Sequence, residues 1–479
     1  MAGLWSVLTQ VVLSLFGDTT ASGTRDATTP GSDDEGGGRL RAMIAPFVGD
    51  DSQLTGWLSD RLNSYQQYDL VIGAQSFAPA EGADPVQAWR EAHFQALNAA
   101  ARQDADAILW GDIDPASKAI HLRFSNKATV APGNDLLVPL VHVFKPSPTA
   151  ALQQAARILL ATEKLRRTVG GAERRLEMTR LQVEMQTIGD KIAVGDNPAG
   201  FEAGLATVFA FAAFILAETG DRSACPAALK MLEPQTIPFM PSASGKPVTV
   251  VATTSLSVAD TALLALYGGL LNWSMISDVS DRSGKMAMEV WQILVRHFEF
   301  LPGATTAQAL CHSNLGEASI ACGKTSGDGD LITAGMASYR RAIGLINPKT
   351  QPGIYARAAY GLGEALVAHS EIEQVDATRD QAIPIFQAAL KVCPKRDYPY
   401  LWGRAVFALA TVQSHKGRGG QQDATLLQSA RNNFIQAQYS FEEAGALGAA
   451  RAAHGGYLRM ETLIDQAGKR KAVMAATGG

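Results

Sequence analysis

The chain has 479 residues, enough for two or three domains or for one small domain and a long array. Its 47% hydrophobic and 18% charged content fits a soluble protein with a sizeable core, and a net charge of -4 gives no case for nucleic-acid binding, which normally shows a basic excess. The four cysteines (Cys225, Cys311, Cys322, Cys393) show no CxxC and no Cys/His ligand spacing, so they read as buried thiols and require no oxidising compartment.

In chain order, Leu4, Leu8, Val11, Val12, Leu15 and Phe16 recur at helical spacing and predict an amphipathic helix over residues 1–17. The first basic residue is Arg25, unlike the charged start of a secretory signal, and the segment is short for a bilayer span. Residues 4–16 could dock on a membrane surface, on a partner or on the protein's own body, or form an atypical signal. With no Lys or Arg in the helix, anionic lipid adds no attraction. Residues 18–38 are Thr, Ser, Asp and Gly with little that is apolar, and read as a flexible linker.

A small mixed domain is expected over 39–148. Leu40–Phe47 reads as a strand stopped by Gly49-Asp50-Asp51. Ser52 is placed to cap a helix carrying Leu54, Trp57, Leu58, Leu62 and Tyr65. Asp69–Gly73 reads as a second strand and Pro85–Arg102 as a second helix. Asp106–Gly111 and Ala119–Phe124 form a strand pair about Asp114-Pro115. The order β-α-β-α-β-β implies a small α/β sandwich. Through Ala45-Pro46-Phe47 and Ala105-Asp106-Ala107-Ile108-Leu109-Trp110-Gly111, this stretch resembles the N-terminal module of TolB-like bacterial proteins that also carry helical repeats. That resemblance implies recognition or assembly and no chemistry.

Residues 149–303 read as helical with degenerate repeats. Ala150–Thr168 and Ala172–Gly189 are amphipathic, the second with Glu173, Glu177, Arg180 and Glu184 along one wet face. Gly204–Ala217 has only Thr207 polar; it is too short to cross a bilayer and reads as a buried helix. Pro234–Ser255, with Pro238, Pro241 and Pro247, is expected to be a loop or crossover. Asp260–Met275 and Arg282–Phe300 look like a degenerate helix pair.

The strongest pattern spans 304–467. Leu315-Gly316-Glu317-Ala318 returns 47 residues later as Leu362-Gly363-Glu364-Ala365, and after 47 more as Leu409-Ala410-Thr411-Val412. A second signature keeps step: Gly335, Tyr339, Ala342; Ala382, Phe386, Ala389; Ala430, Phe434, Ala437. Paired signatures at one period mark stacked helix pairs that cannot bury their apolar faces alone. Small residues let helices approach while the aromatic fills the gap between pairs. These copies resemble tetratricopeptide repeats, with Pro394 at the family's closing proline and Pro348 one residue from it. The repeats here are longer, with the additional residues expected in loops at Gly323–Asp330, Glu373–Arg379 and Gly417–Asp423. Residues 468–479 read as a tail.

The resemblance implies that the first helix of each pair lines a concave groove. Counted from Leu315, Leu362 and Leu409, the groove set is Leu310, Ser313, Glu317, Ala321; Arg357, Tyr360, Glu364, Ala368; and Arg404, Phe407, Thr411, His415. Arg357 and Arg404, beside Tyr360 and Phe407, could grip an acidic or aromatic protein segment; the alternative is that they are solvated or locally paired. The Lys and Asn with which some relatives clamp a terminal carboxylate do not stand at these places.

Other chemistry is weaker. Gly323-Lys324-Thr325 lacks the Gly five residues earlier that a phosphate loop needs, having Ala318 there. The eight histidines show no HxxxH or HExxH spacing. Asp50-Asp51 reads as a turn former. The expectation is therefore an α+β chain: a small α/β sandwich followed by an all-α tetratricopeptide-like superhelical array. It would act as a non-enzymatic scaffold without cofactor or metal, in the bacterial cytoplasm or on a membrane face. A second expectation makes it a regulatory subunit whose α/β domain binds a small ligand and alters the array.

Overall fold

The computed structural model describes residues 39–51, 53–79, 85–126, 140–147, 149–168, 171–193, 203–218, 221–240, 256–275, 281–301, 304–393, 395–396, 398–418 and 423–477. The expected helix over 1–17, the linker 18–38, the Ser52 cap and the closing Pro394 lie outside the described residues.

The N-terminal part is a mixed sheet built from β1 (Leu40–Ile44), α1 (Gln53–Asn63), β2 (Tyr68–Ile72), α2 (Pro85–Arg102), β3 (Ala107–Ile113), β4 (Ile120–Asn126) and β5 (His142–Phe144). The strand order is β2-β1-β3-β4-β5. β1 runs parallel to β2 and β3, and β4 is antiparallel to β3 and β5. The β1–β2 crossover steps one way and the β2–β3 crossover steps back over β1. Right-handed crossovers in opposite directions place α1 and α2 on opposite faces.

Strand alternation separates the two faces. Leu40, Ala42 and Ile44 share a core with Leu54, Leu58 and Leu62 of α1. Met43 and Ala45 pack with Ala92, Ala96 and Ala100 of α2. Asp50 ties the start of α1, its carboxylate accepting the Leu54 and Thr55 backbone N–H groups at 3.1 and 3.2 Å. Asp114 accepts from the Ala116 and Ser117 N–H groups at 2.9 and 2.6 Å and so shapes the β3–β4 turn.

Six helices follow: α3 (Ala150–Arg167), α4 (Gly171–Ala193), α5 (Ala203–Glu218), α6 (Cys225–Thr236), α7 (Val258–Met275) and α8 (Asp281–Glu299). The core on the α1 side of the sheet continues without a break into α3, α5 and the helices beyond. Polar bonds stitch the same junction. Asn126 Nδ2 donates to Glu163 of α3 at 2.5 Å, and His142 Nδ1 meets Thr207 Oγ1 of α5 at 2.8 Å. All of Gly204–Ala217 is buried, as its composition implies, and no helix among the described residues is long and apolar enough to cross a membrane.

Two expectations fail here. Glu177 does not sit on a wet face: it is 5% exposed and paired with Lys164 at 3.3 Å and Arg180 at 2.5 Å. Pro234 does not open a loop either, because α6 carries it near its end and a 3-10 turn, Ile237–Phe239, follows.

The C-terminal half comprises α9 (Thr305–Ser326), α10 (Gly329–Leu345), α11 (Pro352–Glu373), the short α12 (Asp376–Asp380), α13 (Ala382–Val392), α14 (Pro399–Gly417), α15 (Ala424–Glu443) and α16 (Leu447–Thr477). α9, α11 and α14 begin at 305, 352 and 399, so the 47-residue period is one of structure as well as sequence. α9 packs on α10, α11 on α13 and α14 on α15, and each pair packs on the next.

Glycines sit where aromatics arrive. A Cβ at Gly316 would lie 2.9 Å from Tyr339, and one at Gly361 of the next pair 2.2 Å from the same ring. Gly363 meets Phe386 in the same way, at 2.4 Å. The aromatic therefore fills the gap between neighbouring helices and needs a bare backbone to do so.

The loops differ from expectation. α9 continues through Gly323 to Ser326, because Gly323 is a packing position whose Cβ would lie 2.7 Å from Ile332. The turn is only Gly327-Asp328: Gly327 adopts φ +71°, and Asp328 caps α10. Gly323-Lys324-Thr325 is thus helical and follows no strand, which excludes the phosphate loop. Glu373–Arg379 contains most of α12, and the expected tail past 467 is the last part of α16.

Candidate functional site

The candidate surface is built by α9, α11 and α14, which the 47-residue spacing sets side by side. Arg357 of α11 reaches back to α9, donating to Asn314 Oδ1 at 2.8 Å and to Glu317 Oε2 at 3.4 Å. Arg404 of α14 lies over the ring of Tyr360 on α11, its Cζ 4.7 Å from the centroid. One interval of the repeat thus carries an ion pair and the next a cation–aromatic stack.

The electrostatics follow from this packing. Burial opposes the charge on Arg404, but Tyr360, Tyr400, Glu317 and Glu364 around it outweigh that and raise its pKa. Burial pushes the hydroxyls of Tyr360 and Tyr339 well above the ordinary phenol range, with the nearby arginines opposing the shift. Tyr360 and Tyr339 are themselves buried, at 8% and 5% exposure, so both phenols stay protonated at neutral pH.

The predicted set divides into groups. Arg357, Glu317, Tyr360, Glu364 and Arg404 come together. Leu310, Ser313 and Ala368 are core, at 0%, 2% and 1% exposure. Phe407 packs toward α15, its ring centroid 5.4 Å from Phe434 and 6.4 Å from Phe441, yet stays half-buried, whereas Tyr360 is only 8% exposed and packs on Phe386 with centroids 6.0 Å apart. Thr411 donates to the Phe407 carbonyl at 2.9 Å. His415 stands apart: Arg379 Nη1 lies 2.9 and 2.8 Å from its ring nitrogens, and burial together with that guanidinium lowers its pKa.

Three participants were missed. Asn314 is adjacent to Leu315 yet accepts from Arg357. Tyr400, in the first turn of α14, lies nine residues before Leu409, outside the register that selects groove positions. Arg222 comes from the turn before α6, far from any repeat. Its Cζ is 5.1 Å from the ring of Trp273 on α7. Only a periodic signal was available in the sequence, and none of these residues carries it.

A second polar cluster lies under α2. Ser125 Oγ of β4 accepts from Trp110 Nε1 at 2.8 Å and sits 2.7 Å from His93 Nδ1. A bonded Ser–His pair invites a nucleophile reading. Ser125 is fully buried and His93 2% exposed, so the pair belongs to the packing between sheet and helix.

Fold and surface define an α+β protein: a five-stranded mixed sheet continued by helical pairs at a regular period. No family model matches the chain, and no curated protein matches it either.

Proposed function

We propose that this chain is a non-enzymatic scaffold that binds an acidic or aromatic protein segment along α9, α11 and α14. The observation that carries the reading is the Arg404–Tyr360 stack beside the Arg357–Glu317 pair, a run of charge and ring on consecutive repeats. Arginine and tyrosine favour recognition, since both offer large contact area with directed polar atoms. On this reading the helical pairs are of the tetratricopeptide kind and the sheet module is TolB-like. The protein works in a bacterial cytoplasm or on a membrane face, where residues 4–16 help to fix its location.

The unbroken core between the sheet and α3 and α5 favours one further reading, a regulatory subunit in which a small ligand on the sheet biases the helices. A partner that binds through the arginines decides for the scaffold. The test is capture of partners by the full chain, by an Arg357→Glu/Arg404→Glu variant, and by an Arg340→Glu/Arg341→Glu control on the exposed side of α10. Proteins retained by wild type and control but lost from the first variant, with circular dichroism unchanged, support the surface. Identical lists from all three baits overturn it.

A further inference from the structure

The helix α12 is an addition to the repeat: among the described residues no short helix stands between α9 and α10 or between α14 and α15. It has five residues, Asp376–Asp380, and none of them is buried. A helix so short does not hold together alone in water, and without buried side chains it gains little from apolar packing. Its ties to α14 are polar. Arg379 Nη1 lies 2.9 and 2.8 Å from Nδ1 and Nε2 of His415, and Asp380 pairs with Lys416 at 2.8 Å. Gln374, which joins α11 to α12, has φ +57°, in the left-handed region that favours glycine. The chain therefore leaves α11 through a strained residue.

The two ties differ in what they need. Lys416 and Asp380 are 44% and 39% exposed, and an ion pair so open to water holds weakly. The Arg379 side chain is 13% exposed, and its guanidinium can only donate. Neutral imidazole has one nitrogen that accepts; imidazolium has none and carries a charge of the same sign. On protonation of His415, Arg379 keeps its bond to Asp376 Oδ1 at 2.8 Å, but that carboxylate belongs to α12 and ties nothing to α14. The charges that act on His415 are Arg379, Asp376 and Asp380 of α12 and Arg418 of α14. Glu371 of α11 acts on Arg379, and Arg459 of α16 on Arg418. Two apolar residues of α15, Leu426 and Leu427, meet this end of α14 at Gly417, and α13 packs through Leu390 on the cluster that holds Val406. Burial, with the Arg379 charge, holds the His415 ring below its ordinary 6.5.

We propose that α12 is a pH-released strap between α11 and α14: Arg379 binds it to neutral His415, and protonation of His415 lets it swing away on Gln374 and Gln381. The inference goes beyond the scaffold reading and holds whatever the array binds. A swung-out strap returns the His415 ring toward the unfolded value of about 6.5, so opening takes up a proton. The strap is therefore closed above that pH and loosens as pH falls below it. Opening uncovers His415 and the seam between the C-terminal ends of α11 and α14, while the helix pairs themselves, held by buried apolar contacts, stay packed.

The test is backbone hydrogen exchange of the full chain at pH 7.5 and pH 5.5, corrected for the intrinsic pH dependence of exchange. The forms compared are wild type, His415→Gln, Arg379→Ala and a His454→Gln control on α16. In wild type, 374–381 is expected to lose protection at pH 5.5 by up to about tenfold relative to α10, the limit for one pH unit below an open-state pKa of about 6.5. His415→Gln keeps an acceptor for Arg379 and does not titrate, so its protection there is expected to be the same at both pH values. Arg379→Ala is expected to lack that protection at both, and His454→Gln to behave as wild type. Equal protection of wild type at the two pH values, a pH response that survives in His415→Gln, or full protection in Arg379→Ala overturns the strap. So does a loss at pH 5.5 spread evenly along the chain, which would be general acid destabilisation.

Discussion

His93 and His142 show how single residues tie this fold to pH. Burial lowers the His93 pKa to about 4; burial, with the Arg123 charge, lowers that of His142 to about 3. In the unfolded chain both return to about 6.5. Between those limits the unfolded state takes up protons that the folded state refuses. The stabilisation is complete above pH 6.5 and is lost as pH falls toward 4 and then 3. At pH 5 each ring costs roughly 2 kcal/mol relative to pH 7, from about 1.5 units at about 1.4 kcal/mol each. Urea midpoints at pH 7 and pH 5 are expected to differ clearly in wild type and less in a His93→Gln/His142→Gln variant. An equal drop in both proteins would place the acid sensitivity elsewhere.

At the scale of elements, the glycine–aromatic contacts decide how the helix pairs dock. An alanine at Gly363 brings its Cβ to 2.4 Å from Phe386, a ring with 0% exposure that cannot move away. Gly363→Ala is therefore expected to destabilise by about 1–3 kcal/mol through overpacking. Gly344 lies near the end of α10 with nothing within 4 Å, so Gly344→Ala is expected to stabilise by about 0.5–1 kcal/mol through helix propensity alone. Chemical denaturation of the two variants checks the opposite signs. Similar shifts in one direction would mean that the pairs adjust their spacing freely. The Leu-Gly signature pointed to Gly363 as a close-approach position, and the aromatic at Phe386 of the paired helix pointed to what approaches.

For the whole molecule, the ends matter most. α16 covers Phe434, where a Cβ at Gly456 would lie 2.6 Å from the ring, and it packs Ala450 and Ala453 against Phe441. Its exposed side carries Arg451, His454, Arg459, Glu461, Thr462 and Asp465 together with Leu447 and Leu458, so it is more polar than the side that covers Phe434 and Phe441. Deleting Leu447–Thr477 would bare Phe434 and Phe441, and the expected result is self-association of the shortened chain, read by light scattering after size exclusion. A monomer of unchanged stability would show that α15 closes the array by itself. At the other end, the core shared by β1, β3, α3 and α5 means that residues 39–148 taken alone would expose the sheet face that α3 and α5 cover.

The helix-pair period, the α2 boundaries, the buried α5 and most strands could be read from local pattern, because each rests on spacing within one element or on a repeat that echoes it. So could the meeting of Arg357, Glu317, Tyr360, Glu364 and Arg404, since equivalent positions on stacked copies fall side by side. Strand β5 was too short to show a period, and the burial of Glu177 depended on Lys164 from another helix. Phe407 packs on Phe434 and Phe441 while staying half-buried, and Tyr360 is the more deeply buried ring, a division set by neighbouring helices and not by register. Sequence alone determined the repeat and its register. Only the tertiary structure decided that the sheet and helices share one core and that Arg222 lies over Trp273, because contacts between residues far apart in the chain leave no period to read.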